Sequence, residues 1–241
     1  MPEIKTLSLY RGGKEIPLSW SRFVGGRESG GFWKPAPQGA TVKSANSVVI
    51  PSTQTAKVIP APPTSPGDLV VLILNVQKKE TSATLPSGFT QVASQQAFAW
   101  LISRQLATRV ATSSEPSSYS LGGLTGVGVI ADVIVVSGHD PVKPRPVAVG
   151  YNHDNSITPN TPNGLLLASA ASTTNQVTSL NPPAGMTELT DSKSRSPVLT
   201  ASTAWRRGEG TASTGPLQFS SDDTGSFSAM HMLFFIPSLG S

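Results

Sequence analysis

The side chains that could carry out acid–base chemistry are few, because only 13% of the 241 residues are charged. A glycoside hydrolase needs two carboxyl groups about 5–10 Å apart at one site. Glu115 precedes a proline and Asp68 follows Pro66-Gly67, and both contexts are typical of turns. The other candidates share no distinctive motif on one strand face: Glu80, Asp132, Glu188, Asp191 and Glu209. The sequence therefore predicts no catalytic carboxylate pair.

Two His-Asp pairs have the residue types of a metal site, which could use two histidines and two carboxylates. His139-Asp140 and His153-Asp154 both lie among Gly, Pro and Asn, where Asp commonly supports turns. Asp222-Asp223 lacks the alternating Asp/Asn pattern of a calcium loop. A serine nucleophile is not indicated either, because the chain has no Gly-x-Ser-x-Gly elbow. We predict a protein that is not an enzyme and has no catalytic residue, metal or cofactor.

Aromatic side chains could instead form a platform for a glycan, with polar groups beside them. For Trp100 and Tyr119 the strand spacing favours a place in the core. Trp205 is followed by two arginines and by Gly208-Glu209-Gly210, which favours a surface rim. Trp205, Arg206 and Arg207 are therefore the candidate glycan contacts.

The net charge of +4 is concentrated at the N-terminus. Residues 1–40 hold six basic residues against three glutamates, a net charge of +3. A nucleic-acid binder would show a basic stripe with interleaved aromatics, which the rest of the chain lacks. No cysteine is present for a disulfide or a thiolate. The start lacks the apolar core of a secretory signal and the apolar runs are too short to span a bilayer, so we expect no membrane insertion.

A short repeat near the N-terminus predicts two β-hairpins. Tyr10–Glu15 matches Phe23–Glu28 at an offset of 13 residues, and each copy holds a Gly-Gly pair. Gly-Gly between extended flanks suits a two-residue hairpin turn. A phosphate loop is not indicated, because no Lys-Ser/Thr follows. Gly and Pro at 29–41 are typical of a linker. Residues 1–40 are thus predicted to be a docking segment, with candidate contacts Tyr10, Arg11, Gly12, Gly13, Phe23, Gly25, Gly26 and Arg27.

A longer repeat divides residues 41–241 into halves at about 41–140 and 141–238. Four landmarks recur in the same order at offsets of 96 to 100 residues. Ser65–Asp68 before an apolar run matches Thr161–Gly164, and Leu85–Thr90 matches Pro182–Thr187. The other landmarks are Glu115–Ser120 with Thr214–Phe219, and the closing apolar runs Val127–Val136 and Phe227–Ile236. Four matches in order indicate an internal duplication.

Composition and periodicity predict an all-β fold. The chain has 22 Gly and 21 Pro, which suit short strands joined by turns. Alternation at a spacing of two in the closing runs places one strand face inward. Each half could form a seven-stranded sandwich, or both could supply matching strands to a single jelly roll. We favour one jelly-roll-like antiparallel β-sandwich with internal duplication, because no linker-like composition separates the halves.

The order of these motifs resembles a group of β-sandwich minor tail proteins from phages that infect actinobacteria, such as mycobacteriophages. The resemblance is carried by Pro66–Val70, Pro86–Thr90, Glu115–Tyr119 and Gly138–Pro141, and Leu9–Leu18 is similar to the N-termini of such proteins. This chain has Met186 where a second aromatic residue is expected. The resemblance implies a homo-oligomer, such as a trimer, near the tail tip of the virion, and no catalytic residues to carry over.

We therefore expect a virion structural protein, made in the host cytoplasm, that docks to other virion proteins through residues 1–40 and contacts a host-envelope glycan. Two alternatives stay open. One is a capsid decoration or head-fibre protein, for which the same fold would serve. The other is a carbohydrate-binding module or a carbohydrate-active enzyme.

Overall fold

The computed structural model describes residues 9–11, 14–16, 39–78, 82–97, 101–151, 155–174, 177, 179–195, 198–208, 210–221 and 229–239. Every regular element in these ranges is a β-strand, and all strand pairs are antiparallel, which confirms the predicted fold class. Within the same ranges, no helix has the length and hydropathy needed to cross a bilayer. The chain divides into two compact units, residues 1–37 and 38–241.

The first unit contains one described hairpin. Strands β1 (Leu9–Arg11) and β2 (Lys14–Ile16) pair with Leu9 opposite Ile16. They flank the first Gly-Gly pair, as its hairpin prediction requires. Gly12 and Gly13 and the whole second copy, with Phe23, Gly25, Gly26 and Arg27, lie outside the described residues.

The second unit is built on two five-stranded sheets, one from each half of the repeat. Sheet 1 has the order β3-β9-β5-β7-β6 and comprises β3 (Thr41–Ile50), β5 (Leu69–Val76), β6 (Thr90–Ala97), β7 (Ile102–Val110) and β9 (Val129–Ser137). Sheet 2 has the order β10-β16-β11-β14-β13 and comprises β10 (Val147–Tyr151), β11 (Leu165–Ser172), β13 (Thr187–Arg195), β14 (Val198–Arg207) and β16 (Met230–Ile236).

A small sheet covers the outer face of each large one. Over sheet 1 lie β4 (Lys57–Pro60) and β8 (Ser118–Leu121), and over sheet 2 lie β12 (Leu180–Asn181) and β15 (Ser220–Ser221). In jelly-roll connectivity the chain alternates in this way between two layers. The described strands pair only within their own half, and an isolated antiparallel bridge joins His139 of the first half to Ser238 of the second. The two large sheets pack face to face through a shared apolar layer.

The two five-stranded sheets have the same strand order, as the internal duplication predicts. Strand pairs β6–β7 and β13–β14 each contain a register shift, at Val92 and at Leu189, 97 residues apart. The turns before β5 and β11 also match, because Gly67 (φ 89°) and Asn163 (φ 60°) both adopt the left-handed conformation. The repeat therefore extends to backbone irregularities that the motifs alone do not reveal.

Three layers of apolar side chains hold the sandwich together. The middle layer joins the inner faces of the two sheets and includes Leu69, Val71, Ile134, Leu165 and Phe234. The outer layers lie under the small sheets and contain the alternate residues of the same central strands. Strands β5 and β11 are consequently buried along their whole length, as strands covered on both faces are.

Candidate functional site

Arg109 on β7 is the centre of a cluster in which two motifs of the first half meet. Its Nη2 donates to Glu115 Oε1 at 2.9 Å. Its guanidinium carbon lies 5.7 Å from the ring centroid of Phe89 and 5.9 Å from that of Tyr119. The backbone N–H of Thr112 donates to the same carboxylate oxygen at 2.8 Å. One arginine thus joins the Pro-Ser-Gly-Phe and Glu-Pro-x-x-Tyr segments.

Glu115 is held in this cluster through both carboxylate oxygens. The Tyr119 hydroxyl donates to Oε2 at 3.3 Å. Burial, together with the charge of Glu115, raises the pKa of Tyr119 to about 12, so its hydroxyl stays a donor at neutral pH. Tyr119 is 1% exposed, which confirms its predicted place in the core. The role of Glu115 in this cluster is structural.

Arg206 on β14 occupies the equivalent position in the second half. Arg109 lies opposite Val70 of β5 in the strand register, and Arg206 lies opposite Leu166 of β11. Val70 and Leu166 correspond in the repeat, at an offset of 96 residues, and both belong to the outer apolar layers. The two arginines therefore emerge on the outer faces of their sheets at matching places.

The surroundings of Arg206 lack the groups that hold Arg109. Glu115 precedes Pro116 in the first half, whereas Gly215 precedes Pro216 in the second. The aromatic hydroxyl is also absent, since the buried Phe219 takes the place of Tyr119. The replacements are Met186 for Phe89, Gly215 for Glu115 and Phe219 for Tyr119.

A pocket of about 200 Å³ opens beside Arg206. Leu166 and Pro159 provide apolar wall, and Ser213 and Thr214 provide hydroxyl groups. The Thr214 hydroxyl accepts from the backbone N–H of Ile157 at 3.1 Å, which fixes that side of the pocket. The result is a small cationic pocket on the outer face of sheet 2.

The structure does not bring the three predicted glycan contacts onto one face. Successive residues of a strand point to opposite faces. Trp205 is half-buried and packs against the apolar layer between the sheets, whereas Arg206 reaches the outer face. Arg207 is exposed, near the entry of the chain at Gly39. Arg206 is therefore the member of the triplet that lines a pocket, and Trp205 lies on the opposite face of the strand.

A buried polar network crosses the contact between the two sheets. Arg104 of β7 is fully buried and donates from Nε to Asn75 Oδ1 at 2.7 Å. Across the interface its Nη2 donates to Ser169 Oγ at 2.6 Å, and its Nη1 donates to the carbonyl oxygens of Met230 at 2.7 Å and Ser169 at 3.2 Å. One side chain thus ties a strand of the first half to two strands of the second.

Two hydroxyl groups link Arg104 to the buried carboxylate of Asp132. Thr203 Oγ1 lies 3.1 Å from Ser169 Oγ and 3.0 Å from Asp132 Oδ2. Each hydroxyl carries one proton and can donate only once. All three hydrogen bonds form when Arg104 donates to Ser169, Ser169 donates to Thr203, and Thr203 donates to Asp132. Burial lowers the pKa of Arg104 to about 10 and raises that of Asp132. The hydrogen bond from Thr203 acts on Asp132 in the opposite direction.

The remaining candidates divide into turn residues and positions outside the described ranges. Asp68 accepts from the backbone N–H of Ser65 and from Lys43 Nζ, each at 2.7 Å, which confirms it as a turn residue. Where the structure describes the chain, no group of three or more His, Cys, Asp or Glu side chains could hold a metal ion. The positions outside the described ranges are Glu80, Trp100, His153, Asp154, Glu209, Asp222 and Asp223.

Comparison with known proteins returned no relative: no family model, no curated protein and no solved structure matches this chain.

Proposed function

We propose that the protein is a structural component of a phage particle, a minor tail protein at or near the tail tip, and not an enzyme. Residues 1–40 dock the chain to other virion proteins. The sandwich projects from that site as part of a homo-oligomer, such as a trimer. The motif order that resembles minor tail proteins supports this assignment. Contact with a host-envelope glycan is part of the proposal, without Trp205 as its platform.

The division of the chain is the observation that carries the proposal. A short unit with the β1–β2 hairpin is joined to a larger sandwich unit. The short unit holds most of the net charge, whereas the sandwich is nearly neutral. A small basic segment joined to a rigid body is the arrangement that a docking element and its projecting domain require.

The state of three carboxylates in the sandwich supports a role without catalysis. Three of its carboxylates are engaged internally: Glu115 with Arg109, Asp68 with Lys43, and Asp132 within the buried network. A general acid or base has to reach a substrate proton. Asp132 is fully buried and the other two are held in ion pairs, so none of the three has that access.

Electron microscopy of purified particles labelled with an antibody against the sandwich tests the proposal directly. We expect label at the tail tip, with particles from a phage that lacks the gene as the control. Label confined to the head would favour the decoration alternative, and absence of the chain from particles would refute a virion role. Release of products from host cell-wall polysaccharides by the purified protein would refute the non-enzymatic assignment.

A further inference from the structure

We propose that the pocket beside Arg206 binds a carboxylate supplied by another protein, namely an aspartate or glutamate side chain of a neighbouring chain in the assembly. The first half of the molecule shows what this arrangement holds when it is complete. There the equivalent Arg109 carries the carboxylate of Glu115 at 2.9 Å. In the second half that glutamate is replaced by Gly215, and a pocket opens beside the arginine.

The size and walls of the pocket fit one acidic side chain. Its volume of about 200 Å³ is below the 300–1,000 Å³ typical of small-molecule sites. Leu166 and Pro159 line the pocket but are buried, so its accessible lining is Arg206, Ala212, Ser213 and Thr214. Arg206 offers paired N–H donors to a carboxylate. The exposed Ser213 adds a hydroxyl at the rim.

The main chain around the pocket argues against an added peptide strand. The N–H of Gly208 donates to Gly164 O at 2.8 Å, and its carbonyl accepts from Asn163 at 3.2 Å. The N–H of Thr214 donates to Ile157 O at 2.9 Å. Strand addition depends on unpaired main-chain groups, and these three are already paired. A side chain that inserts end-on needs none of them.

The surroundings also favour a protein carboxylate over an acidic sugar. Sugar sites commonly present an aromatic face for stacking. The aromatic residue next to Arg206 is Trp205, which packs on the opposite face of the sheet. Phe219 belongs to the buried outer layer and is only 2% exposed, and Met186 packs against that layer. In the first half, the equivalent Arg109 binds the carboxylate of a protein residue, Glu115.

The pocket lies at the end of the sandwich where the chain enters it. Ala40 packs in the same apolar layer as Leu165, the register partner of Arg207. A Cβ atom at Gly39 would lie 3.5 Å from Arg207 Nη1. Arg206 and Arg207 thus add positive charge at the end of the sandwich that holds Gly39 and Ala40. If the proposed function holds, the neighbouring chain that supplies the carboxylate is another virion protein, and this identification rests on that function.

The binding test uses the full ¹⁵N-labelled chain and a blocked glutamate, N-acetyl-glutamate methylamide, as the probe. We expect saturable NMR shifts of the Gly208 and Thr214 amides and of the Arg206 Nε–H, weakened by added salt. The matched probe is the blocked glutamine, which has the same shape without the charge. Equal shifts with both probes, or none with the glutamate, would overturn the proposal.

Three variants locate the site. Arg206→Gln should weaken binding by about tenfold or more, the factor expected when a charged hydrogen bond is lost. Arg207→Gln removes the same charge from the neighbouring residue and should retain binding. Ser213→Glu should abolish binding because it places an internal carboxylate at the rim. Retention of binding by Arg206→Gln would contradict the assignment. Binding that appears only after Glu209→Gln would also contradict it, because Glu209 of the same chain would then be the natural partner of Arg206.

The probes and the particles separate this inference from the proposed function. Tighter binding of glucuronate than of blocked glutamate would overturn the protein source and assign the pocket to a sugar acid. Binding of blocked glutamate by a chain that is absent from particles would leave the carboxylate pocket intact and refute the virion role. A chain found in particles whose pocket binds neither probe would refute this inference alone.

Discussion

At the scale of single residues, the most consequential side chain is Arg104, whose guanidinium is buried between the sheets. Arg104 lies between Ser103 and Gln105 in β7, a strand in which five of the nine residues are polar, so the sequence around it does not mark it as buried. Its partner at Met230 is 126 residues away, and no local pattern connects the two. Asp132 is a candidate acid from its residue type alone, whereas the role of Arg104 appears only in the folded structure.

Replacement of Arg104 by methionine should lower the free energy of unfolding by about 3–5 kcal/mol, because it removes the positive charge opposite the buried Asp132 and leaves the acceptors on Asn75 and Ser169 without their donor. Urea denaturation measures the loss. Arg207→Met, at an exposed position of β14, is the matched control and should stay within about 0.5 kcal/mol of wild type. Adding Asp132→Asn to Arg104→Met should recover part of the loss. Equal effects of Arg104→Met and Arg207→Met would contradict the role of the network.

His139 should make the protein less stable in acid. Burial and the nearby Arg145 lower its pKa, against the opposing charges of Asp140 and Asp68. Between the ordinary histidine pKa of about 6.5 and the lowered value, the unfolded chain binds a proton that the folded chain does not, so stability falls as the pH falls. Denaturation from about pH 7 to pH 5 should show this slope, and His139→Gln should reduce it. Parallel pH profiles for the two proteins would rule out His139 as its source.

At the scale of elements, the turns were predictable and the irregularities were not. Pro-Gly-Asp and Pro-Asn-Gly mark the starts of β5 and β11, because Gly67 and Asn163 tolerate a positive φ. The register shifts at Val92 and Leu189 carry no sequence signal, since both are ordinary strand residues. The pocket at Arg206 was missed for a related reason. Arg206 is seen to be equivalent to Arg109 only from the strand register.

Matched glycine substitutions test the equivalence of the two halves. Gly88 (φ 82°) and Gly185 (φ 77°) occupy the same turn in each half. Alanine at either position should cost about 1–2 kcal/mol, from the left-handed backbone. At Gly185 the new Cβ meets nothing within 4 Å, whereas at Gly88 it lies 3.4 Å from the Arg109 guanidinium, so the Gly88 cost should be equal or larger. Thermal denaturation measures both, and no loss at Gly185 would contradict the turn assignment.

At the scale of the whole molecule, sequence reasoning identified the β-sandwich and its duplication but not how the halves pack. Strand patterns show which face of a strand is apolar. For β5 and β11 both faces are apolar, so the pattern could not say which face meets the other half. The buried Arg104 network spans that contact, because its acceptors Ser169 and Met230 lie on strands of the second half.

The division into a docking segment and a projecting sandwich is the central claim for the whole molecule. Removal of residues 1–37 leaves the sandwich unit, with its three apolar layers, complete. The truncated chain should therefore fold and unfold cooperatively like the full chain, since it keeps the whole buried core.

The most direct measurement is quantitative immunoblotting of purified particles from phage that encode either the full chain or the chain without residues 1–37. Circular dichroism confirms the fold of the truncated protein, and Arg104→Gln in the full chain controls for a loss caused by instability alone. We predict that the truncated chain is folded and absent from particles. Incorporation of the truncated chain at the level of the full chain would contradict the account.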